Sequence, residues 1–230
     1  MTEKLFYLLQ VNDSLFPIGG YSHSQGLETY IQKGIVCDEK TAEEYILQKL
    51  KWSVTYTDLL AARLAYEYAK EDNLEGLLRL EAIMDASRLP QEQRDASRKM
   101  GSRFAKTVES MELPELREGI FRRYVDSRKS RGVNHCCVYG VFCGATGIGL
   151  DETLSHYLYS QTSAMVTNCV KTIPLSQTSG QKILAGCYSC LSDVLVRVKN
   201  LTEDDLCLSA PGFDVRGMQH ESLYSRIYMS

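Results

Sequence analysis

Proline is scarce in this chain, five in 230 residues, and tryptophan occurs once. No segment sustains the apolar–polar alternation that a half-buried strand needs, which argues against a sheet. Charge of neither sign prevails: 26 Lys and Arg stand against 29 Asp and Glu, a formal net of −3. That balance removes the electrostatic reason to expect nucleic acid or an anionic membrane as the main partner. Long hydrophobic runs are missing too. The longest uncharged stretch, "VNHCCVYGVFCGATGIGL" over 133–150, is broken by Asn134, His135 and four glycines. It reads as a buried helix and a turn, not a membrane span. The opening "MTEKLFYLLQVND" has a short apolar stretch, Glu3 before Lys4, and no small-residue cleavage site, so the expected location is the cytoplasm. Eight cysteines fall far below the density of a secreted disulfide scaffold. Cys143, Cys169 and Cys187 lie in apolar helical pattern, where free cysteine behaves as a small hydrophobe, and reduced thiols are expected.

What is present is helical periodicity punctuated by proline and glycine. A short apolar segment over 4–11 leads to a Gly-Gly loop, and a helix over about 24–34 ends at Gly34, a suitable C-terminal position. Asp38 or Thr41 can cap the next helix, with Thr41 and Glu44 spaced as a capping box. That helix reaches about Lys70 and is expected to bend or break within the β-branched "WSVTYT" of 52–57. Pro90, Pro114 and Pro174 each fall where a new helix starts. Helices follow over about 74–87, 91–111, 114–128 and 134–147, then one capped by Asp151 and running to Thr172. A long one over 176–200 carries Leu184, Cys187, Leu191, Val194 and Val198 on one apolar stripe. The sum is one all-α domain of about ten helices over 1–230. The tail, 209–230, departs from the pattern: its Tyr, Ile and Met residues must be buried in this chain or in a partner.

The motifs that carry chemistry are thin. A phosphate-cradling loop needs G-x-x-x-x-G-K-[ST], and neither "FPIGGYSHS" (16–24) nor "GATGIG" (144–149) supplies it. Gly140 and Gly144 on an apolar helix point instead to close approach of another backbone. Ser22, His23 and Ser24 are adjacent, so their side chains diverge, and the expected role of the serines is to cap the following helix. Cys187 and Cys190 have thiolate spacing, and His135, Cys136 and Cys137 form a second cluster, but a structural zinc site wants four ligands and no second C-x-x-C exists. The Arg- and Lys-rich stretch 117–132 is diluted by acids and reads as a solvated face, with contact to an acidic partner as the sharper alternative.

The sequence "FPIGGYSHSQGLE" closely resembles the N-terminal signature of the UreF family of urease accessory proteins. Three further blocks fall in the family's order: 134–148, 161–184 and 218–230, so the resemblance spans essentially the whole chain. The first of these carries Cys136 and Cys137 where the family's commoner form is His-x-Pro. The resemblance implies an all-helical, dimeric scaffold without catalytic activity. It would bind a UreD/UreH-type partner and recruit the UreG-type GTPase, in the assembly that delivers nickel to apo-urease. No stably bound cofactor is implied. It further implies that Pro17, Gly19, Gly20, Tyr21 and Ser22 shape a docking loop, 15–24, and that Glu28, Lys171, His220, Glu221, Tyr224 and Arg226 contact partners. Two alternatives stand beside it: regulation of the GTPase with Arg226 as an arginine finger, and a thiol or metal activity at Cys187/Cys190 or His135/Cys136.

Overall fold

A computed structural model describes residues 2–208 and 210–230; Met1 and Ser209, the first residue of the expected tail, lie outside the described residues. The chain is all helix, with no strand among the described residues. In order come α1 (Thr2–Asn12), α2 (Leu27–Gln32), α3 (Glu39–Lys49), α4 (Leu60–Lys70), α5 (Leu74–Ser87) and α6 (Gln91–Ser110). There follow α7 (Ile120–Ser127), α8 (His135–Thr146), α9 (Leu150–Thr172), α10 (Gln177–Gly186), α11 (Tyr188–Asn200) and α12 (Pro211–His220).

Capping chemistry decides where several of these begin, and not always as expected. Asp38 adopts the extended conformation of a cap and accepts from Thr41 N at 2.8 Å, while Thr41 Oγ1 accepts from Asp38 N at 3.0 Å. The box therefore joins Asp38 to Thr41 and leaves Glu44 outside it. Asp151 does not cap α9. Gly149 does, through its N–H to Glu152 Oε2 at 3.0 Å, and Asp151 pairs with Lys199 instead. Pro174 precedes α10 by a turn, and Ser176 is the cap. The expected helix over 114–128 is interrupted at Gly119, whose φ of +90° no helix accommodates, and the expected helix over 176–200 divides at Cys187. Between α3 and α4 the chain does not break. It widens into a π-helical stretch, Leu50–Leu59, where Thr55 Oγ1 donates to Leu50 O at 2.6 Å, five residues back.

The core is built around α8, buried along nearly its whole length. A Cβ on Gly140 would lie 2.2 Å from Ala62 O, and one on Gly144 2.9 Å from Tyr66 O, so α4 and α8 meet backbone to backbone. On the other flank a Cβ on Gly101 of α6 would lie 2.1 Å from Val133 O. Phe104, Tyr139, Phe142 and Tyr157 fill the remaining space with tilted and edge-on aromatic contacts. The stripe Leu184, Cys187, Leu191, Val194 and Val198 is buried as expected.

One buried carboxylate organises the entry to α8. Glu81 accepts from Asn134 N at 2.9 Å, Asn134 Nδ2 at 2.9 Å, Arg128 Nη2 at 3.1 Å and Tyr124 OH. Arg128 also reaches Asp85 at 2.9 Å. The rest of the basic stretch is an exposed face, as expected, with its charges paired on the surface: Arg122 with Asp126 and Glu109, Arg123 with Asp72, and Lys129 with Asp126.

Candidate functional site

The Gly-Gly loop owes its shape to backbone conformations that side chains resist. Gly19 sits at φ +78°, Gly20–Ser22 form one 3-10 turn, and Gly26 opens α2 at φ +85°. Between them Gln25 is held at φ +54° although it carries a side chain. Its carbonyl accepts from Lys49 Nζ at 2.7 Å and its N–H donates to Ser230 O at 2.9 Å, contacts that compensate the strain.

Ser230 is the last residue of a strap, 221–230, that follows α12 and runs back over the loop. Ser24 N and Ser24 Oγ donate to Ser230 O at 2.6 and 2.9 Å, Met229 N donates to Ser22 O at 2.9 Å, and His23 Nδ1 lies 2.9 Å from Ser230 Oγ. The serines do not cap α2, which makes no side-chain cap bond. They bind the strap. Asn168 Nδ2 of α9 donates to His23 O at 2.9 Å and fixes the loop from beneath. The tail is therefore folded on its own chain.

Glu28 is buried at 5% exposure and faces the strap from α2. Its Oε1 accepts from Ile227 N at 2.7 Å, and its Oε2 accepts from Tyr228 N at 2.9 Å and lies 3.1 Å from His220 Nε2. His220 Nδ1 lies 2.7 Å from Glu92 Oε2, and the other oxygen of Glu92 takes Arg226. Glu221 Oε1 accepts from Gln91 N at 2.7 Å, at the start of α6. Of the residues expected to meet a partner, the structure thus gathers Ser22, Glu28, His220, Glu221 and Arg226 into one intrachain network.

The strap alternates. Tyr228 and Ser230 point in, while Ile227 and Met229 point out, and Tyr224 is fully exposed. Tyr21, on the facing loop, is 74% exposed, and Pro17 is exposed beside the glycines. Lys171 is exposed on the last turn of α9 and lines a groove of about 1040 Å³ between α1, the loop, α9 and α11. Leu9, Tyr21, Tyr159, Tyr188 and Leu195 contribute its apolar wall.

His135 lines the inner wall of the groove, edge-on to Phe104 and tilted against Tyr157, and burial lowers its pKa from the ordinary 6.5 to about 4. It is a neutral ring at physiological pH. Cys136 and Cys137 are fully buried, with sulfurs 4.0 Å apart; the hydrogen bond between them and burial hold Cys137 well up as a thiol. Burial likewise pushes Cys187 up to about 11 and raises Cys190. Among the described residues no three His, Cys, Asp or Glu side chains converge as a metal site.

Lys49, Glu92, Asn168 and Ser230 were not legible as site residues. Lys49 gave one signal, a lysine in phase with Tyr45 and Ile46 on the buried face of its helix. It is 4% exposed, donates to Tyr45 OH at 3.2 Å, and lies over the Tyr45 and Phe213 rings, so α12 packs against its charge.

A sequence profile described as UreF matches residues 36–188. A protein called urease accessory protein UreF from Lachnoclostridium phytofermentans is 35% identical over 233 residues, covering all of both chains. One of the same name from Geobacillus kaustophilus is 35% identical over 229 residues, covering 99% of each. The chain belongs to the UreF family. The loop and the strap lie outside the matched profile segment and within the alignment with the Lachnoclostridium relative, which covers the whole chain.

Proposed function

We propose that this UreF-family chain is a non-catalytic adaptor in urease maturation. It binds a UreD/UreH-type accessory protein, recruits the UreG-type GTPase, and works in the cytoplasm as a homodimer forming one domain over 1–230. Nickel is the cargo of the assembled complex, inserted into apo-urease, and this chain holds no resident cofactor. The observation that carries the reading is the strap. Its main chain and inward side chains are consumed by the loop, α2 and α6, while Tyr21, Tyr224, Ile227 and Met229 stand exposed on the composite surface. Exposed aromatic and large apolar side chains on a rigid backing are what a protein interface uses as anchors.

On this reading Pro17, Gly19, Gly20 and Ser22 shape the surface, and Glu28, His220, Glu221 and Arg226 hold the strap in place beneath it. Lys171 borders the groove. The ion pair of Arg226 with Glu92 favours an anchoring role over that of an arginine finger. The raised pKa values of Cys187 and Cys190 speak against thiolate chemistry there.

Size-exclusion chromatography with light scattering tests the proposal. The full chain, mixed with its UreD/UreH-type and UreG-type partners, is expected to give one complex with two copies of this chain. Tyr224→Asp with Ile227→Asp, both at solvent-exposed positions, is expected to abolish that complex while leaving the thermal transition of the free chain in place. A wild-type chain that ignores both partners, or a double variant that assembles normally, overturns it.

A further inference from the structure

The strap's anchor contains a charge arrangement with a regulatory consequence, which rests on the docking surface proposed above. A neutral imidazole carries one N–H and one lone pair. In the closed strap both His220 nitrogens face carboxylate oxygens, Nε2 at 3.1 Å from Glu28 and Nδ1 at 2.7 Å from Glu92, with the ring 1% exposed. Glu28 also accepts two main-chain N–H groups, from Ile227 and Tyr228. Glu92 pairs with the Arg226 guanidinium through its other oxygen. An imidazolium, with an N–H on each nitrogen, is the form of the ring that serves both carboxylate oxygens at once.

The charges then close. Glu28 and Glu92 oppose His220 and Arg226, and the cluster is neutral. Removing one ring proton leaves a net negative charge in a cluster whose His220 and Glu28 members are buried, and sets a nitrogen lone pair against a carboxylate oxygen at hydrogen-bond distance. An uncompensated buried charge of this kind is strongly destabilising. Four segments meet there: α2 through Glu28, α6 through Glu92, α12 through His220, and the strap through Arg226 and two amides.

We propose that His220 is a proton-operated latch: doubly protonated, it holds the strap on the loop, and loss of one proton releases it. Tyr224, Ile227 and Met229 are then presented as a fixed surface only while the ring is charged.

The other groups around the ring do not supply this switch. The Tyr228 phenol of the strap is raised by burial and by Glu28, and so stays neutral. Glu221, next on the chain, engages Gln91 N. His23, on the loop, has its pKa lowered by burial and by Lys99 of α6, with Glu92 opposing, so it contributes no cation to the cluster.

Hydrogen exchange of the full chain, read by mass spectrometry on peptides within 221–230, tests the latch. Measurements at pH 6 and pH 8.5, bracketing the range in which imidazole ordinarily changes charge, are corrected for the intrinsic exchange rate. Protection of the Ile227 and Tyr228 amides is expected to fall about tenfold or more at the higher pH, with peptides of α8 unchanged. His220→Gln is expected to show low protection at both values. Glu92→Gln gives a second route, because its amide can donate to the neutral ring, and the pH dependence is expected to flatten with protection retained. Protection that is constant with pH in the wild type, or the same pH dependence in both variants, overturns the latch. Partner binding is scored separately. A strap that titrates while the complex assembles equally at both pH values keeps the latch and removes the docking reading; a strap that does not titrate removes the latch whatever the partners do.

Discussion

Lys49 brings a charge into the interior where the loop, α3 and α12 meet. Burial lowers its pKa from 10.5 to about 8, because the ammonium loses more solvation than Gln25 O, Tyr45 OH and the Phe213 ring return. The sign of the consequence follows from the direction. Between pH 8 and 10.5 the unfolded chain still holds a proton at Lys49 that the folded chain has released, so the Lys49 contribution to stability rises with pH across that window, against the buried cysteines, whose raised pKa values act the other way. The full span is worth about 3 kcal/mol. Lys49→Met is expected to lose this rise. Urea unfolding of both proteins at pH 7.5 and pH 10 checks it, and equal pH slopes would sink the assignment. Glu28 shows at the same scale what the sequence could and could not tell. Its place after "SQGL" marked it as a site residue, yet whether it pointed out to a partner or in was set by groups 192, 199 and 200 positions away, His220, Ile227 and Tyr228. No local pattern encodes such a contact.

At the scale of elements, the close approach of a second backbone was legible from Gly140 and Gly144, because small residues four apart on an apolar helix have few other uses. The partner helix, α4, was not, since nothing in its alanines and leucines names α8. Gly140→Ala would push a methyl group to 2.2 Å from a main-chain carbonyl, and backbone cannot swing aside as a long side chain can. The helices must separate, at a cost of about 3 kcal/mol or more. A melting temperature lowered by several degrees is expected; at Gly34, where a Cβ would meet nothing within 4 Å, alanine is expected to cost less, through its φ of +68° alone. An equal loss at both positions would refute the packing argument. The joints read less well for a related reason. Helix ends at 119 and 187 depend on tertiary fit as much as on local propensity, and the β-branched run at 52–57 produced a widened helix because Thr55 could bond back to Leu50.

For the whole molecule, the first and last family blocks prove to be one structure. The loop at 15–24 is a receptor, the strap at 221–230 is its ligand, and Glu28 is the side chain that joins α2, α12 and the strap. The sequence marked both ends as unusual and left open whether the tail was buried in this chain or in a partner, since its alternation of inward and outward residues is too short to read as a strand. Because one carboxylate serves three contacts, its neutralisation should loosen the strap without unfolding the helices. Glu28→Gln keeps the shape, but the amide nitrogen cannot accept, so at least one of the Ile227 and Tyr228 amides loses its partner. A buried donor left unpaired costs about 1–3 kcal/mol. Chymotrypsin reads the difference at two sites within five residues. Tyr224 is exposed in the closed strap and Tyr228 is buried, so wild-type cleavage after Tyr228 requires release of the strap. Glu28→Gln is expected to speed that cut by about tenfold, the factor that some 1.4 kcal/mol sets, with little change in the melting of the core. An unchanged rate at Tyr228 would mean that the strap is held by the loop amides and by the contacts of Arg226 and Glu221 with α6, and that Glu28 is a passenger in the site it lines.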